Sequence, residues 1–214
     1  MDCCDIYADQ FDRDSAVSQA QRYRERGLRS TSRLLHEAIA DRGLVRGATV
    51  LEIGGGAAGL SIELLKAGAR SAISVELSSS YRDAAVALAL EAGFEDRLHL
   101  IAGDGAEVVS TMGRFDIVVM NRVVCCYPDG GRLMRVGADA AGRVLAVSYP
   151  SVHPLSRAVV AADNWRRARL GAEFRTFLHP VATLISPIPS DFAEVFRRRR
   201  PLWSVHVWER DTPP

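Results

Sequence analysis

The chain has almost no lysine and almost no net charge. Lys66 is the only lysine among 214 residues, so nearly all positive charge is carried by arginine, and the formal net charge at pH 7 is +1. A nearly neutral protein has no overall electrostatic attraction to nucleic acid or to an anionic membrane surface. The composition therefore predicts neither nucleic acid nor a membrane as the partner.

Long apolar segments are missing as well. No apolar run approaches the roughly 20 residues that a membrane-spanning helix needs. The first residues, Met1–Asp14, lack the basic and then apolar pattern of a targeting signal. We therefore expect a cytoplasmic protein.

Cysteine is scarce, and its spacing does not match that of a metal site. The four cysteines form two adjacent pairs, Cys3-Cys4 and Cys125-Cys126. Neighbouring cysteines rarely bond to each other, and the C-x-x-C spacing of a zinc site does not occur. The sequence predicts reduced thiols, with Cys125 and Cys126 mostly buried, and no metal site.

Apolar runs alternate with helical stretches through the middle of the chain. At 214 residues and 48% hydrophobic content, one substantial core is expected. The runs that predict parallel strands are Thr49–Ile53, Ala72–Glu76, Leu98–Ala102, Phe115–Met120 and Arg143–Ser148. Such alternation indicates an α/β fold, a Rossmann-like parallel sheet with helices on both faces. Phe192–Arg197 and Trp203–Trp208 predict a closing antiparallel pair, which makes a mostly parallel seven-stranded sheet with an antiparallel last strand.

Two further segments lie outside this alternation. Residues 1–47 predict a helical N-terminal arm that covers the site, because Leu28, Thr31, Leu35 and Ile39 recur at helical spacing. Residues 48–214 then form the main domain. Within it, residues 151–180 break the pattern and predict an insertion that covers a substrate.

A glycine turn directly after the first strand predicts a cofactor site. Glu52 ends the strand, and Gly54-Gly55-Gly56-Ala57-Ala58-Gly59 follows. Glycine lets a backbone approach a ligand closely because it has no Cβ. The spacing satisfies G-x-G-x-x-G, the dinucleotide pattern, but a carboxylate at Glu52 would repel a diphosphate. A ligand with an ammonium group and no phosphate fits better, and S-adenosylmethionine (SAM) is such a ligand.

Polar residues also follow the other parallel strands. Ligands of such sheets lie beyond the carboxyl ends of the strands, where Glu52, Glu76, Asp104 and Asn121 fall. Glu76 is predicted to accept hydrogen bonds from both ribose hydroxyls. Asp104, beside Gly105, is predicted to accept a hydrogen bond from the adenine amino group. The predicted cofactor-binding residues are Glu52, Gly54, Gly55, Gly56, Glu76, Leu77, Asp104, Gly105, Asn121, Arg122 and Tyr23.

Each of these residues also has a purely structural interpretation. Glu76 is alternatively a solvated acid at a strand end, and Asp104 an N-cap for a helix over Ala106–Ser110. Asn121, which is predicted to meet the methionine end of SAM, is alternatively a turn asparagine.

The set of motifs resembles the class I SAM-dependent methyltransferases. Their pattern is an acid and spaced glycines after strand one, an acid ending strand two and an acid after strand three. It is matched here by Glu52 with Gly54 and Gly56, by Glu76 and by Asp104. The resemblance implies the class I fold, methyl transfer from SAM and release of S-adenosylhomocysteine (SAH).

A narrower resemblance rests on Asn121–Asp129 and on the sequence from Tyr7 to Arg13. Both are similar to bacterial methyltransferases related to magnesium-protoporphyrin O-methyltransferase. That enzyme has a histidine before its Tyr-Pro, where this chain has Cys126. The resemblance therefore implies the architecture and the reaction class but not a porphyrin substrate. Arg122-Val123 stands where amino-group methyltransferases with Asn-Pro-Pro-Tyr carry prolines, which argues against that class.

Candidate catalytic residues come from the segments expected to close over the sheet edge. His179 or His153 would be the general base for a hydroxyl acceptor, while Tyr127 and Tyr7 would line the acceptor pocket. A structural role is the alternative for each of the histidines and for Tyr127. The insertion also offers apolar and polar side chains for an acceptor, namely Trp165, Phe174 and Phe177, and Arg166, Arg175 and His179.

The predicted acceptor is a small organic molecule, with O-methylation favoured and N-methylation the alternative, in a monomer or homodimer. The basic run Arg197–Arg200 is interpreted as a solvated hairpin turn, with nucleic-acid binding as the alternative. Two rival functions remain open. One is a SAM-fold binding protein without methyl transfer. The other is an NAD-dependent oxidoreductase, which Glu52 and the absence of a Tyr-x-x-x-Lys pair disfavour.

Overall fold

A computed structural model describes residues 11–211, so the predictions for Tyr7 and for Cys3-Cys4 lie outside the described residues. The helices are α1 (Arg13–Arg26), α2 (Ser30–Ala40), α3 (Gly59–Lys66), α4 (Ser79–Ala92), α5 (Gly105–Ser110), α6 (Gly130–Ala140), α7 (Pro154–Arg169) and α8 (Val181–Ile185), with a 3-10 turn at Val124–Cys126. The strands are β1 (Thr49–Ile53), β2 (Ser71–Glu76), β3 (Leu98–Ala102), β4 (Phe115–Asn121), β5 (Ala141–Pro150), β6 (Phe192–Arg199) and β7 (Trp203–Arg210). Between residues 11 and 211, none of the helices is both long and apolar enough to cross a bilayer.

The strands of the described residues form one seven-stranded sheet in the order β3-β2-β1-β4-β5-β7-β6. Strands β1 to β5 pair in parallel, and β7 runs antiparallel to both β5 and β6. The predicted α/β fold, with its antiparallel closing strand, is confirmed. The order reverses between β1 and β4, and that reversal opens a crevice at the carboxyl edge of the sheet.

Apolar side chains alternate between the two faces of the central strands. On β4, Ile117 and Val119 join one core cluster, whereas Val118 and Met120 join the other. This is the period of two that a strand imposes on its side chains. Helices α2, α3 and α4 supply residues to the first cluster, and α6 to the second.

The residues predicted as a helical arm form α1 and α2. Asp12 caps α1, because its Oδ1 accepts a hydrogen bond from the Ser15 backbone N–H at 2.9 Å. The helix ends at Gly27, whose φ of 64° suits glycine. In α2, Thr31, Leu35 and Ile39 are buried as the helical spacing predicted, whereas Leu28 precedes the helix.

The segment predicted as an insertion begins with α7 and continues as irregular backbone from residue 172 to α8. Helix α7 starts with Pro154, which suits the first turn because proline has no N–H to leave unpaired. Helix α8 is short and stops at Ile185. Pro187 and Pro189 explain the early end, since neither can donate the next helical hydrogen bond.

The packing of α2 on the sheet makes a stability prediction. Leu35 is 0% exposed, so Leu35→Ala should lower the free energy of unfolding by about 2–5 kcal/mol. Leu170→Ala is the matched control, because Leu170 is 71% exposed and its truncation should cost at most about 0.5 kcal/mol. Chemical denaturation measures both. Equal small effects for the two variants would contradict the docking of α2 on the sheet.

Candidate active site

A cavity of about 830 Å³ lies at the carboxyl edge of the parallel strands. The residues after β1, β2, β3 and β4 form its floor, and α1, α7 and the residues after α7 form its walls. Its size is within the range of small-molecule and cofactor sites. All eleven residues predicted to bind a cofactor contribute to its lining.

The glycine turn lies so close to β2 that side chains would not fit. Gly54 and Gly56 have φ of 66° and 58°, which glycine tolerates best. A Cβ on Gly55 would lie 2.3 Å from Ser74 Oγ and 3.1 Å from Glu52 Cδ. Ala58, the residue before α3, adopts φ 55°. The turn is therefore shaped by its contacts with the sheet.

Glu52 is buried beneath this turn. Its Oε2 accepts hydrogen bonds from the Ser61 backbone N–H at 3.1 Å and from Ser61 Oγ at 2.5 Å. Burial raises the pKa of Glu52 to about 7, because the Ser61 hydrogen bonds offset only part of the cost of burying a charge. The carboxyl group is thus poised to ionise when a cation arrives.

Glu76 joins the glycine turn to the loop after β2. Its Oε2 accepts from the Gly56 N–H and its Oε1 from the Ser78 N–H, both at 2.9 Å. Burial raises the pKa of Glu76, and these backbone donors oppose that shift. Each carboxylate oxygen keeps a second lone pair, so the group can also accept from two hydroxyls of a ligand.

Asp104 caps α5, as its structural interpretation proposed. Its Oδ1 accepts from the backbone N–H groups of Ala106 at 2.8 Å and Glu107 at 3.1 Å, and from the Tyr127 hydroxyl at 2.8 Å. No residue between 11 and 211 donates to Oδ2. The cap therefore leaves one oxygen of Asp104 for a ligand.

The side chain of Asn121 is used inside the protein. Its Nδ2 donates to Ser32 Oγ at 2.8 Å, and its Oδ1 accepts from Ser148 Oγ at 2.7 Å. The side-chain amide therefore connects the end of β4 to α2 and β5. This is a structural role, the alternative that the sequence left open for Asn121. The next residue, Arg122, has φ 60°, an uncommon conformation for a residue with a Cβ.

Two of the predicted catalytic residues do not face the cavity. His179 Nε2 lies 3.1 Å from the Val124 carbonyl oxygen and 3.0 Å from that of Tyr127, so it donates to the turn and cannot accept a proton there. His153 is exposed and caps α7, with its Nδ1 accepting from the Leu155 N–H at 3.2 Å. In this geometry both histidines make structural hydrogen bonds, which is the alternative role that the sequence left open for them.

Two tyrosines of the prediction do line the cavity. Tyr127 donates its hydroxyl to Asp104, as described above. Tyr23 donates its hydroxyl to Glu63 Oε1 at 2.6 Å, and its ring lies 3.0 Å from where a Cβ on Gly59 would be. Burial, and then the Glu63 carboxylate, raises the pKa of Tyr23, so its hydroxyl remains a donor at neutral pH.

The insertion contributes different side chains from those predicted. Phe174 lines the cavity as expected, but Trp165 is 59% exposed. Arg175 donates to the carbonyl oxygens of Ala172 and Phe174. The side chain of Arg166 is 63% exposed. The backbone N–H of Phe177 donates to the Cys125 carbonyl oxygen in the 3-10 turn at 2.7 Å.

The cavity lining also includes basic and aromatic side chains to which the sequence analysis gave no binding role. They are Phe11, Arg22, Arg29, Tyr81, Arg167 and Trp203. Only Arg167 carried a readable signal, because it follows Asp163 at the i,i+4 spacing of a helical ion pair. Its Nη2 lies 2.7 Å from Asp163 Oδ2.

The two described cysteines are thiols. Cys125 is buried, Cys126 is partly exposed, and their sulfur atoms are 3.9 Å apart. Within residues 11–211, no cluster of three or more histidine, cysteine or acidic side chains could hold a metal ion.

Comparison with known proteins identifies the architecture. No family model matches the chain, and no curated protein matches it. Among solved structures, magnesium protoporphyrin IX methyltransferase from Synechocystis PCC 6803 with bound SAH matches with a TM-score of 0.68 at 18% identity, over 84% of this chain and 82% of that one. An O-methyltransferase family protein from Burkholderia thailandensis matches with a TM-score of 0.68 at 16% identity, over 94% of this chain and 63% of that one. The fold is that of the class I methyltransferases.

The same Synechocystis methyltransferase with bound SAM matches over 98% of each chain, with a TM-score of 0.65 and 19% identity. At such identities the likeness concerns the fold alone, which many chemistries share. The function has to be argued from the cavity of this chain.

The close approach of the glycine turn to β2 is testable. Gly55→Ala should displace the turn, because its Cβ would overlap Ser74 Oγ, and we expect SAH binding to weaken by at least about tenfold, or roughly 1.4 kcal/mol. Gly113→Ala is the control, since a Cβ there meets nothing within 4 Å. Isothermal titration calorimetry with SAH measures both variants. Unchanged binding in Gly55→Ala would show that the position of the turn does not matter for the cofactor.

Proposed function

We propose that the protein is a SAM-dependent methyltransferase that acts on a small organic molecule, with O-methylation favoured over N-methylation. The observation that carries the proposal is the convergence of Glu52, Glu76 and Asp104 on one end of the cavity, around a glycine turn. A cationic cofactor with a ribose diol suits three carboxyl groups. A dinucleotide diphosphate does not.

The residues present fit SAM part by part. Glu76 would hold the ribose hydroxyls, and Asp104 Oδ2 the adenine amino group, with Leu77 and Gly105 beside the base. The glycine turn and Glu52 would hold the ammonium end, and the backbone of Asn121 and Arg122 would border the methionine carboxylate. Tyr23 would close this end from α1. The volume of about 830 Å³ leaves room for an acceptor.

The chemistry asked of the protein is modest. SAM supplies a methyl group already activated by its sulfonium. The chain has to align the acceptor with that methyl group and exclude water. Phe11, Phe174, Val159 and Val160 give the cavity apolar walls, and Tyr127 places a hydroxyl at its floor. An acceptor that is already an anion needs no general base, which agrees with the positions of His179 and His153.

The Synechocystis enzyme of the same fold binds SAM and SAH, which supports the cofactor assignment. We extend the proposal to residues 1–47 as a cover for the site, because α1 and the residues after it form one wall. A monomer or homodimer is the proposed state of the protein.

The role of Glu76 gives a binding prediction. Glu76→Ala removes two charged acceptors and the anchor of the glycine turn, so SAH affinity should fall by about 2–3 kcal/mol, on the order of a hundredfold. Glu107→Ala removes an exposed acid of α5 and should leave SAH affinity unchanged. Calorimetry compares the two. If the two variants bind SAH equally, the ribose is held elsewhere.

The raised pKa of Glu52 gives a pH prediction. An ammonium group pairs only with the ionised carboxylate. SAH affinity should therefore be constant above pH of about 7 and fall towards lower pH, by at most tenfold per unit. Glu52→Gln, which cannot ionise, should flatten this dependence. A wild-type affinity that does not change between about pH 5 and pH 8 would refute the pairing.

The proposal as a whole is separated from its rivals by two measurements. Titration with SAM and with NAD distinguishes the methyltransferase from an oxidoreductase, since only SAM should bind. Incubation of cell extract with methyl-labelled SAM then distinguishes an enzyme from a SAM-binding protein, since only an enzyme transfers label to a product. Binding of NAD without SAM would overturn the cofactor assignment.

A further inference from the structure

Four arginines also line the cavity, and Arg122 lies after β4, across the reversal of strand order from the three acids. Arg22 and Arg29 reach it from α1 and the α1–α2 linker, Arg122 from the end of β4, and Arg167 from α7. Of these four, only Arg167 has a carboxylate within ion-pair distance among residues 11–211. We call the lining that contains Glu52, Glu76 and Asp104 the acidic half of the cavity, and the lining that contains Arg122 and Arg167, together with Asp163, the basic half.

Arg167 is held in place but not saturated. Its Nη2 bonds Asp163, and its guanidinium lies 4.7 Å from the centre of the Phe174 ring. Its Nε and Nη1 are buried and have no hydrogen-bond partner within the described chain. Buried donors without partners cost free energy, so these two nitrogen atoms mark where an acceptor oxygen would be bound.

Arg122 has the same character at the end of β4. Its backbone adopts φ 60°, a strained conformation that tends to persist at functional positions. Its guanidinium lies 4.1 Å from the centre of the Trp203 ring, which supports the plane and leaves the edge free. Burial chiefly lowers the pKa of Arg122, and the nearby Arg29 lowers it further.

The positive charges of Arg122 and Arg167 also affect the pKa of Cys125. A hydrogen bond with Cys126 chiefly lowers the pKa of the Cys125 thiol, and Arg122 and Arg167 lower it further, against the effect of burial. Both arginines therefore act on one point of the cavity wall. Guanidinium groups supported by aromatic rings are suited to binding planar or tetrahedral oxyanions.

We infer that the basic half of the cavity is the acceptor subsite and that the acceptor carries an oxyanion, a carboxylate or a phosphate, bound by Arg122 and Arg167. The inference rests on the proposed function, because only a methyltransferase has a methyl acceptor. It replaces Arg166, Arg175 and His179, which the sequence suggested for this role. The apolar walls would enclose the body of the molecule while the guanidinium groups hold its charged end.

The test measures binding of simple probes to protein saturated with SAH. Benzoate and phenyl phosphate represent the two oxyanions, and benzamide is the neutral counterpart of benzoate. We expect at least one anion to bind about tenfold or more tighter than benzamide. Arg122→Gln and Arg167→Gln should each weaken that anion by about ten- to a hundredfold. Arg166→Gln, a change on the exposed face of the same helix, should have no effect.

Several results would overturn the inference. They are equal binding of benzamide and the anions, no binding of either anion, or an equal loss in Arg166→Gln and Arg167→Gln. Tighter binding of an RNA oligonucleotide, dependent on the same arginines, would replace the small acceptor by nucleic acid. A thermal unfolding transition like that of the wild type shows that each variant is folded.

The methionine carboxylate of the cofactor is the rival occupant. Titration with 5′-methylthioadenosine, which lacks the amino acid end of SAH, shows whether the arginines bind that carboxylate. If the arginine variants weaken SAH but not 5′-methylthioadenosine, the arginines serve the cofactor and the inference is wrong. If SAH fails to bind wild-type protein while the anion selectivity persists, the proposed function fails and the anion site stands.

Discussion

The arrangement of the site depends on the carboxylate of Glu76. One of its oxygen atoms accepts from the Gly56 N–H and the other from the Ser78 N–H, so a single side chain ties the turn after β1 to the loop after β2. The same group faces the cavity. Because these bonds are made to backbone N–H groups, they hold the glycine turn at a fixed distance from the loop after β2.

The charges of the cavity follow from the topology of the sheet. The acids end β1 and β2 or follow β3, on one side of the strand-order reversal, whereas Arg122 ends β4 on the other side. Arg22 of α1, Arg29 of the α1–α2 linker and Arg167 of α7 line the same cavity. A cationic cofactor and an anionic acceptor would thus be drawn to opposite ends of one cavity, with the methyl group between them. Such electrostatic separation favours correct orientation without a dedicated base.

Much of this fold could be predicted from the sequence, because buried parallel strands have continuous apolar sequences. The bounds of β1 and β3 coincide with the predicted runs, and those of β2 and β4 differ by one residue. The three acids could be found for the same reason, since Glu52 and Glu76 lie at the ends of two runs and Asp104 lies just beyond a third. Local signals of this kind need no knowledge of distant packing.

The remainder depended on contacts between distant parts of the chain. Nothing local to His179 shows that its ring meets the carbonyl groups of Val124 and Tyr127, more than fifty residues earlier. Arg122 and Arg167 likewise line the same cavity although they are far apart in the sequence. Asn121 looked like a ligand residue because of its position, yet Ser32 and Ser148 use its amide.

A structure of the protein bound to SAH tests the central claim most directly. The account predicts the ribose on Glu76, the adenine beside Asp104 and the sulfur atom pointing towards the half of the cavity that contains Arg122 and Arg167. SAH bound with its ribose away from Glu76, or with its adenine among the arginines, would contradict it.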